Sequence, residues 1–248
     1  MSERLTIATA NTQMGRAIRE PGGLAGLKSA DVILLQEVQM GQDELATKLS
    51  DDIGLSLGHY DDDFGLAIAI DSKYTIQSRR HRILQARGTV GRLTLPAKEH
   101  VNTFRLRGRG LLALTLETPD GTVFTAATTH PTVKMKSVSR NAQVRAIPNA
   151  ISDMPDPLVL AGDMNHWRHP HRVDRQMYES TGLTPVEITG STFDVSQTRY
   201  ALLGKIIRFD AQLDAMLYRG KGLRPIETEL IDISSDHHAV KTTFEIDG

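Results

Sequence analysis

The chain has 248 residues, enough for one large domain or two small ones with a substantial buried core. Its composition, 40% hydrophobic and 24% charged, excludes disordered and fibrous proteins. A net charge of -1 argues against a generic polycation that coats nucleic acid or an anionic membrane, although it allows a local basic patch. Because the chain has no cysteine, disulfides, thiolate nucleophiles and cysteine-bound metals are excluded, and any metal must be held by oxygen or imidazole ligands.

The beginning of the chain lacks an apolar stretch of signal-peptide length. The longest apolar runs, at 32–35 and 111–114, are too short to cross a bilayer. We therefore expect a cytoplasmic protein without a membrane anchor. No feature indicates a protein partner, and we expect a monomer.

Short strands with interspersed helices are predicted along the chain. Strands are predicted at 4–10, 31–36, 65–70, from 74, 111–118, 122–128, 158–161, 213–218, 227–231 and 239–246, and helices at 42–50 and 137–151. The sequence Pro-Asp-Gly at 119–121 is a strong hairpin signal between two of these strands. With no repeat or linker, the pattern predicts one α/β domain over residues 1–248, with mixed sheets.

Polar side chains recur where the predicted strands begin or end. These residues are Asn11, Gln36 with Glu37, His130, Asp163 with Asn165, Asp214, and Asp236 with His237. Ionisable groups at strand ends are a common way to assemble a site on a rigid sheet. Taken singly, each has an ordinary explanation as a helix-start carboxylate, a turn residue or a hydrogen-bonded histidine.

Together these residues suit phosphoester hydrolysis, which needs a metal, a base for water and donors to the developing charge. Asn11, Glu37 and Asp236 offer hard oxygen ligands for Mg²⁺ or Mn²⁺. Asp163 can take a proton from water. Strand alternation predicts that Asn165 points to the same side as Asp163, where it can orient the water or contact phosphate.

Two histidines are predicted to act as imidazolium donors. A neighbouring carboxylate would raise the pKa of His130 and of His237 and would fix the tautomer of each ring. Asp214 is the predicted partner of His237.

The order of these motifs resembles the endonuclease/exonuclease/phosphatase superfamily. The matching elements are LLQE at 34–37, LAGDMN at 160–165 and SDHHAV at 235–240, with Thr-Thr-His at 128–130, Ser-Thr-Phe at 191–193 and Arg-x-x-Gln at 140–143. The resemblance implies a DNase I-like four-layer sandwich, in which two mixed β-sheets pack face to face and are flanked by helices. It also implies that Glu37 binds metal and Asp163 activates water. Members differ in which of the residues at 11, 214 and 236 touches the metal, so that point stays open.

The resemblance implies a role for the remaining site residues, and differences from particular members of the family reduce the number of possible substrate classes. Asn165 would contact phosphate, and His130 with His237 would stabilise the transition state. A histidine at 130 differs from the tyrosine element of abasic-site endonucleases, and the segment around Asp214 lacks the Cys-Asp-Arg of inositol-polyphosphate phosphatases. Secreted sphingomyelinases need an export signal and an apolar membrane loop, which are not evident here.

By elimination, nucleic acid is the expected partner, as the substrate of a Mg²⁺-dependent, endonuclease-type phosphodiesterase. The alternative is a phosphatase or phosphodiesterase of small phosphorylated metabolites or lipid headgroups. A third hypothesis, a binding module on a catalytically dead version of the fold, is disfavoured because the full set of site residues is present.

A basic run occupies residues 71–109, with ten Lys or Arg against only Asp71 and Glu99. It is interpreted as a surface that faces a polyanion, with Arg105 and Arg107 as substrate contacts, and the alternative is a solvated face. Arg140 is predicted to extend the basic side and bind substrate. The loop at 166–171 is rich in histidine, and its Trp167 is predicted to pack or to stack on a base; a transition-metal site is the alternative there.

Overall fold

The computed structural model describes residues 2–86, 108–132, 137–165, 170, 172–194 and 211–247. The strands are β1 (Ser2–Asn11), β2 (Val32–Gln36), β3 (Ser56–Asp61), β4 (Leu66–Ile70), β5 (Thr75–Ala86), β6 (Gly108–Glu117), β7 (Val123–Thr129), β8 (Leu158–Asp163), β9 (Thr184–Pro185), β10 (Asp214–Arg219), β11 (Leu223–Ile231) and β12 (Ala239–Asp247). The helices are α1 (Arg16–Arg19), a 3₁₀ turn (Ala25–Leu27), α2 (Gln42–Ile53), α3 (Ser137–Ile151) and α4 (Arg172–Thr181). None of these helices is both long and apolar enough to cross a membrane.

The described strands form two mixed sheets of six strands each. The first sheet has the order β11-β12-β1-β2-β4-β3, and the second has the order β5-β6-β7-β8-β10-β9. Each sheet contains one parallel pair, β1 with β2 and β7 with β8, between antiparallel neighbours. The mixed sheets expected from the sequence are therefore present.

Three apolar clusters place the sheets and helices in four layers. The central cluster joins the inner faces of both sheets, with Leu34 and Phe244 from the first and Leu114 and Met216 from the second. A second cluster packs α1 and α2 on the first sheet, and a third packs α3 and α4 on the second. Because strands such as β2 and β4 are covered on both faces, they are apolar throughout rather than alternating. This is the four-layer sandwich that the sequence predicted.

The topology brings the predicted site residues to one edge of the sandwich. The ends of β1 and β2 meet where Asn11 pairs with Gln36. In the second sheet β10 begins where β8 ends, so Asp214 pairs directly with Asp163. Since β12 runs antiparallel to β1, its beginning also lies at this edge. Polar residues that are far apart in the sequence therefore become neighbours.

Two close approaches fix the backbone near this edge. A Cβ on Gly162 would lie 2.0 Å from the carbonyl oxygen of Thr129, and a Cβ on Gly110 would lie 1.8 Å from the ring of Phe64. Only glycine allows such contacts without displacing a neighbour.

The predicted elements differ from the structure in a few places. Strand β3 and helix α4 were not anticipated from the sequence. β3 is an edge strand that is only partly buried, so it lacks an apolar run. β8 extends further than predicted and includes Asp163 as its last residue.

Candidate active site

Asp163 lies at the centre of the polar cluster and is almost fully buried. Its Oδ2 accepts a hydrogen bond from Nδ2 of Asn11 at 3.0 Å, and its Oδ1 accepts one from the backbone N–H of Asn165 at 2.9 Å. Nε2 of His130 lies 3.4 Å from Oδ2, and Nε2 of His237 lies 3.8 Å from it. Burial raises the pKa of Asp163, an effect that nearby carboxylates strengthen and His237 opposes. One carboxylate is thus surrounded by an amide and two imidazoles.

His237 forms a buried pair with Asp214 across the two sheets. Nδ1 of the imidazole lies 2.7 Å from Oδ2 of the carboxylate, so the predicted contact is present. The ring of Phe193 packs edge-on against the imidazole, with 5.1 Å between ring centroids. Burial alone would lower the pKa of His237, but the charge and hydrogen bond of Asp214 outweigh it and raise the pKa to about 10. His237 therefore carries a proton on both nitrogens at neutral pH.

His130 has a different environment, and the prediction of a raised pKa was wrong for it. Its Nδ1 lies 3.3 Å from Nη1 of Arg109 rather than beside a carboxylate. Burial lowers the pKa of His130 well below its usual value, and the charges of Arg109 and His237 lower it further. Its Nε2 faces Asp163 and lies 3.9 Å from Oε1 of Glu37. Burial and the neighbouring guanidinium both disfavour the charged ring, so the structure does not support His130 as an imidazolium donor.

Glu37 and Asp236 are the two carboxylates suited to bind a metal at this edge. Burial raises the pKa of Glu37, although a hydrogen bond from Asn11 opposes the rise, and burial raises the pKa of Asp236 as well. Both groups would thus be stabilised by a cation, and Mg²⁺ is usually held by one or two carboxylates with waters in its remaining positions. Within the described ranges no three His, Asp or Glu side chains are grouped to enclose a metal. The donors fit an open, water-sharing Mg²⁺ or Mn²⁺ site.

Glu37 is held in an unusual backbone conformation, with a φ of 55°. The hydroxyl of Thr12 is directed at the carbonyl oxygens of Gln36 and Glu37, at 3.0 and 3.1 Å, and fixes this turn. Non-glycine residues in this region cost about 1–3 kcal/mol and persist where surrounding contacts determine them, often at functional sites. The turn directs the carboxylate away from the strand axis and into the polar cluster.

Asp163 and Asn165 come together by a turn, and the predicted strand alternation is wrong here. β8 ends at Asp163, and Asn165 has a φ of 52°. The Asp163 carboxylate accepts the backbone N–H of Asn165, while the Asn165 amide donates to the carbonyl of Pro131 at 3.0 Å. This last bond joins the loop after β8 to the loop that follows His130.

Two buried hydroxyl side chains position the dyad of His237 and Asp214. Ser235 donates to the carbonyl of Asn11 at 2.8 Å and accepts the backbone N–H of His237 at 3.2 Å. Thr192 accepts the backbone N–H of Asp214 at 3.1 Å. Both residues lie in motifs of the family resemblance, but no pattern in the sequence indicated their separate roles.

Gln36 connects the sheets beneath the site. Its side chain is fully buried, and Nε2 donates to the hydroxyl of Thr128 in the second sheet at 2.9 Å and to the carbonyl of Leu34 at 2.8 Å. The amide therefore fixes the distance between the strands that carry Glu37 and His130.

The structure does not support Arg140 as a substrate contact. Its side chain is 1% exposed, and Nη2 lies 2.6 Å from Oδ1 of Asp174, which is itself fully buried. Its Nε donates to the carbonyl of Met164 at 2.9 Å. One turn later on α3, Gln143 accepts the backbone N–H of Thr132 at 2.7 Å. α3 thus holds the two loops that carry Asp163 and His130, and we assign Arg140 a structural role.

The described part of the basic run is partly compensated by acids from elsewhere in the chain. Lys73 pairs with Asp31, and Arg80 and Arg82 both pair with Asp153. The sequence count missed these partners because they lie outside the run. Arg105, Arg107 and Trp167 lie outside the described residues, as does most of the histidine-rich loop, so their predicted roles remain predictions.

Arg109 is the site residue that the sequence interpretation missed. It was counted in the basic run, but its guanidinium contacts His130, and the charges of Glu37 and Asp163 act on it. β6 runs antiparallel to β7, so the beginning of β6 lies beside the end of β7. Applying the strand-end argument to the start of β6 would have found it.

The fold and the strand-end cluster of carboxylates, amides and imidazoles define a DNase I-like sandwich with a polar site at one edge. The Endonuclease/Exonuclease/phosphatase family model matches residues 8–237. The chain belongs to this family, whose members are hydrolases that act on phosphoester bonds and typically use divalent metals. The resemblance inferred from the motifs is confirmed. No curated protein sequence is significantly similar to the chain.

Solved structures share the fold at low sequence identity. An endonuclease/exonuclease/phosphatase family protein from Bacteroides thetaiotaomicron is 14% identical, with a TM-score of 0.73 and 100% of each chain covered. D. rerio TDP2 complexed with a single-strand DNA product is 17% identical, with a TM-score of 0.70 and coverage of 98% of this chain and 99% of that one. The inositol polyphosphate 5-phosphatase domain of SPsynaptojanin, complexed with inositol (1,4)-bisphosphate and calcium ion, is 17% identical, with a TM-score of 0.63 and coverage of 99% and 85%.

Proposed function

We propose that the protein is a divalent-metal-dependent phosphodiesterase that hydrolyses nucleic acid, with Asp163 as the base for the attacking water. The observation that carries this proposal is the convergence on Asp163 of Asn11, Asn165 and the Nε2 atoms of both histidines. The arrangement supplies a proton acceptor and several donors within one small, largely buried cluster.

The chain's own residues account for the proton movements of hydrolysis. Burial raises the pKa of Asp163, which makes its carboxylate a better base than an exposed one, and Asn11 with Asn165 fixes its orientation. As the water oxygen bonds to phosphorus, its proton passes to Asp163. The protonated Nε2 of His237, held by Asp214, can donate to a phosphoryl oxygen or to the oxygen that leaves. The bond between phosphorus and that leaving oxygen breaks.

Glu37 and Asp236, with Asn11 beside them, would hold the metal. A bound divalent cation would supply neutralisation of charge on the phosphate oxygens. The raised pKa values of both carboxylates support this assignment, because each is partly buried and desolvation of its charge outweighs the nearby cations.

Nucleic acid as the substrate is supported by the basic sequence that leads into the site. Residues 87–107 contain five Lys or Arg and one acid, and the run continues into Arg109, which contacts His130. Lys and Arg side chains bind nucleic acid by neutralising backbone phosphates and releasing their counterions. The related TDP2 structure holds a single-strand DNA product.

The second candidate is a phosphatase or phosphodiesterase of small phosphorylated metabolites or lipid headgroups. It is favoured by the compensated part of the basic run, because Lys73, Arg80 and Arg82 are paired with Asp31 and Asp153. A small anionic substrate would need only the cations next to the site. The SPsynaptojanin domain, which holds an inositol bisphosphate, shares the fold.

A substrate panel separates these candidates. The protein is incubated with Mg²⁺ and plasmid, single-stranded DNA, RNA or a set of phosphomonoesters, with and without chelator. We expect cleavage of a nucleic acid that chelator and Asp163→Asn abolish, while Asp120→Asn, the same change in the exposed hairpin turn, leaves it intact. Release of orthophosphate from monoesters with intact nucleic acids would favour the second candidate. Cleavage that survives Asp163→Asn would contradict the role of Asp163.

A further inference from the structure

Arg109 brings a guanidinium into the polar cluster from the start of β6. Its Nη1 lies 3.3 Å from Nδ1 of His130, and the carboxylates of Glu37 and Asp163 act electrostatically on the same side chain. The side chain is only partly buried, so it reaches both the cluster and the solvent side from which a substrate would approach.

The backbone beside Arg109 is rigidly placed. The ring of Phe64 packs where a side chain at position 110 would begin, and a Cβ there would lie 1.8 Å from it. The carbonyl of Gly110 accepts the hydroxyl of Thr129 at 2.9 Å, next to His130 in the sequence. The two strands that carry Arg109 and His130 are therefore held in a defined relative position. The contact between the two side chains follows from the packing of the fold.

The contact determines which nitrogen of His130 carries the proton. A guanidinium has only donors, so the Nδ1 that faces Arg109 must act as the acceptor. The proton of the neutral ring then lies on Nε2, which is 3.4 Å from Oδ2 of Asp163. His130 thereby presents a donor to the place where we expect the phosphate and the water.

Within the described part of the chain, Arg109 makes one side-chain hydrogen bond, so its guanidinium has further donors for an anion. The guanidinium has five N–H groups, and one is directed at His130. Arginine stays charged at all physiological pH values and binds phosphate oxygens by charge-assisted hydrogen bonds. A cation that already lies beside the base is well placed to hold a phosphoryl group against it.

We propose that Arg109 is a substrate-binding and positioning residue, whose guanidinium binds a phosphoryl oxygen and holds His130 in the tautomer with its proton on Nε2. This inference rests on the proposed function, because it assumes a phosphoester in the cluster. It goes beyond the sequence interpretation, which assigned His130 a carboxylate partner.

The tautomer can be read directly by long-range ¹H–¹⁵N NMR of the Mg²⁺-loaded protein, with the signals of His130 identified by their loss in His130→Gln. We expect wild-type His130 to carry a proton on Nε2 and none on Nδ1. In Arg109→Met, which removes the donor, we expect Nδ1 to become protonated, whereas Arg109→Lys retains the wild-type pattern. A protonated Nδ1 in the wild type, or an unchanged pattern in Arg109→Met, would overturn the positioning role.

Anion binding is measured by calorimetric titration of inorganic phosphate in the presence of Mg²⁺. We expect Arg109→Met to weaken phosphate binding by about tenfold or more and Arg109→Lys to weaken it less, because lysine keeps the charge but not the fork of donors. Arg80→Met, which changes an arginine paired with Asp153 outside the site, should bind phosphate as the wild type does. Equal phosphate affinity in Arg109→Met and the wild type would overturn the binding role.

These readouts do not depend on turnover. If the wild-type protein cleaves no phosphoester, the proposed function is wrong. The NMR pattern would still show whether Arg109 sets the tautomer of His130. If Arg109→Met cleaves phosphoesters as well as the wild type does, only the role of Arg109 is contradicted. Melting temperatures of all variants establish that each one is folded.

Discussion

His130 and His237 occupy comparable places in the two sheets but differ in their partners. His237 precedes β12 of the first sheet, and its Nδ1 contacts the carboxylate of Asp214. His130 follows β7 of the second sheet, and its Nδ1 contacts the guanidinium of Arg109. Both Nε2 atoms face the same oxygen of Asp163.

The difference shows that neighbours, rather than residue type, decide the charge of a buried histidine. Asp214 raises the pKa of His237 to about 10, whereas burial and Arg109 lower the pKa of His130. The two imidazoles around this carboxylate therefore have pKa values that are shifted in opposite directions. In the account proposed here, the charged ring supplies a proton and the neutral ring supplies an oriented donor.

The largest effect is expected at the carboxylate that both histidines face. Asp163→Asn keeps the size of the side chain but removes the base, so we expect kcat to fall by about 10²- to 10⁴-fold. The measurement is steady-state hydrolysis of whichever phosphoester the panel identifies, with Asp120→Asn as the matched surface control. Activity within a factor of about three of wild type would show that Asp163 is not the base.

A smaller effect is expected when the charge of His237 is altered through its partner. Asp214→Asn removes the carboxylate that holds Nδ1 but leaves the imidazole in place, so the loss should be smaller than the loss of about 10²- to 10⁴-fold that is typical of removing a proton-transfer group. We expect a fall in kcat with little change in KM, because the substrate contacts remain. If KM rises while kcat is unchanged, Asp214 acts on substrate binding and the comparison of the two histidines fails.

Arg140 is a second guanidinium on the side of the second sheet, and it pairs with a buried carboxylate whereas Arg109 contacts an imidazole. Because Arg140→Met leaves the carboxylate of Asp174 buried without its cation, we expect a loss of about 3–5 kcal/mol in the free energy of unfolding. The control, Arg224→Met, breaks an exposed pair with Glu245 and should cost less than about 1 kcal/mol. Chemical denaturation measures both, and equal losses would contradict the structural role of Arg140.

The smallest effect is expected for the compensated arginines of β5. Arg80→Gln combined with Arg82→Gln removes two partially exposed pairs with Asp153, and we expect less than about 1 kcal/mol of destabilisation. Catalytic activity should stay at the wild-type level at low and high salt. Arg105→Ala with Arg107→Ala, by contrast, should weaken nucleic-acid binding more at low salt than at high salt.

A salt response in the double variant of β5 would show that this strand contacts substrate despite its acidic partners. The absence of any salt response in the variant at 105 and 107 would leave those residues as a solvated face.

Much of the fold was predictable because its strands are covered on both faces. The continuous apolar runs of β2 and β4 predict buried strands. The polar residues that follow such runs indicate the edge of the sandwich at which the site lies. Strand β3 was not predictable in this way, since an edge strand that is partly exposed has no such run. The family motifs likewise located Glu37, Asp163 and His237.

The partners of these residues were harder to predict. Asp214 was predicted as the partner of His237, whereas Arg109 is one of ten basic residues in its run, and only its place at the start of β6 distinguishes it from its neighbours. Asp153, the acid that pairs with both Arg80 and Arg82, lies more than 70 positions away from each in the sequence. Burial of Arg140 depends on the packing of α3 on α4, which periodicity alone does not reveal.

The most direct test of Asp163 as the base of a metal-dependent phosphodiesterase is hydrolysis of a simple phosphodiester. Wild-type protein, stripped with chelator and dialysed, is assayed on bis(p-nitrophenyl) phosphate before and after addition of Mg²⁺ or Mn²⁺, beside Asp163→Asn. We predict no turnover without metal, turnover after metal is restored, and turnover at least about 10²-fold slower in Asp163→Asn with metal present. Turnover by the stripped protein, or turnover in Asp163→Asn at the wild-type rate, would contradict the account.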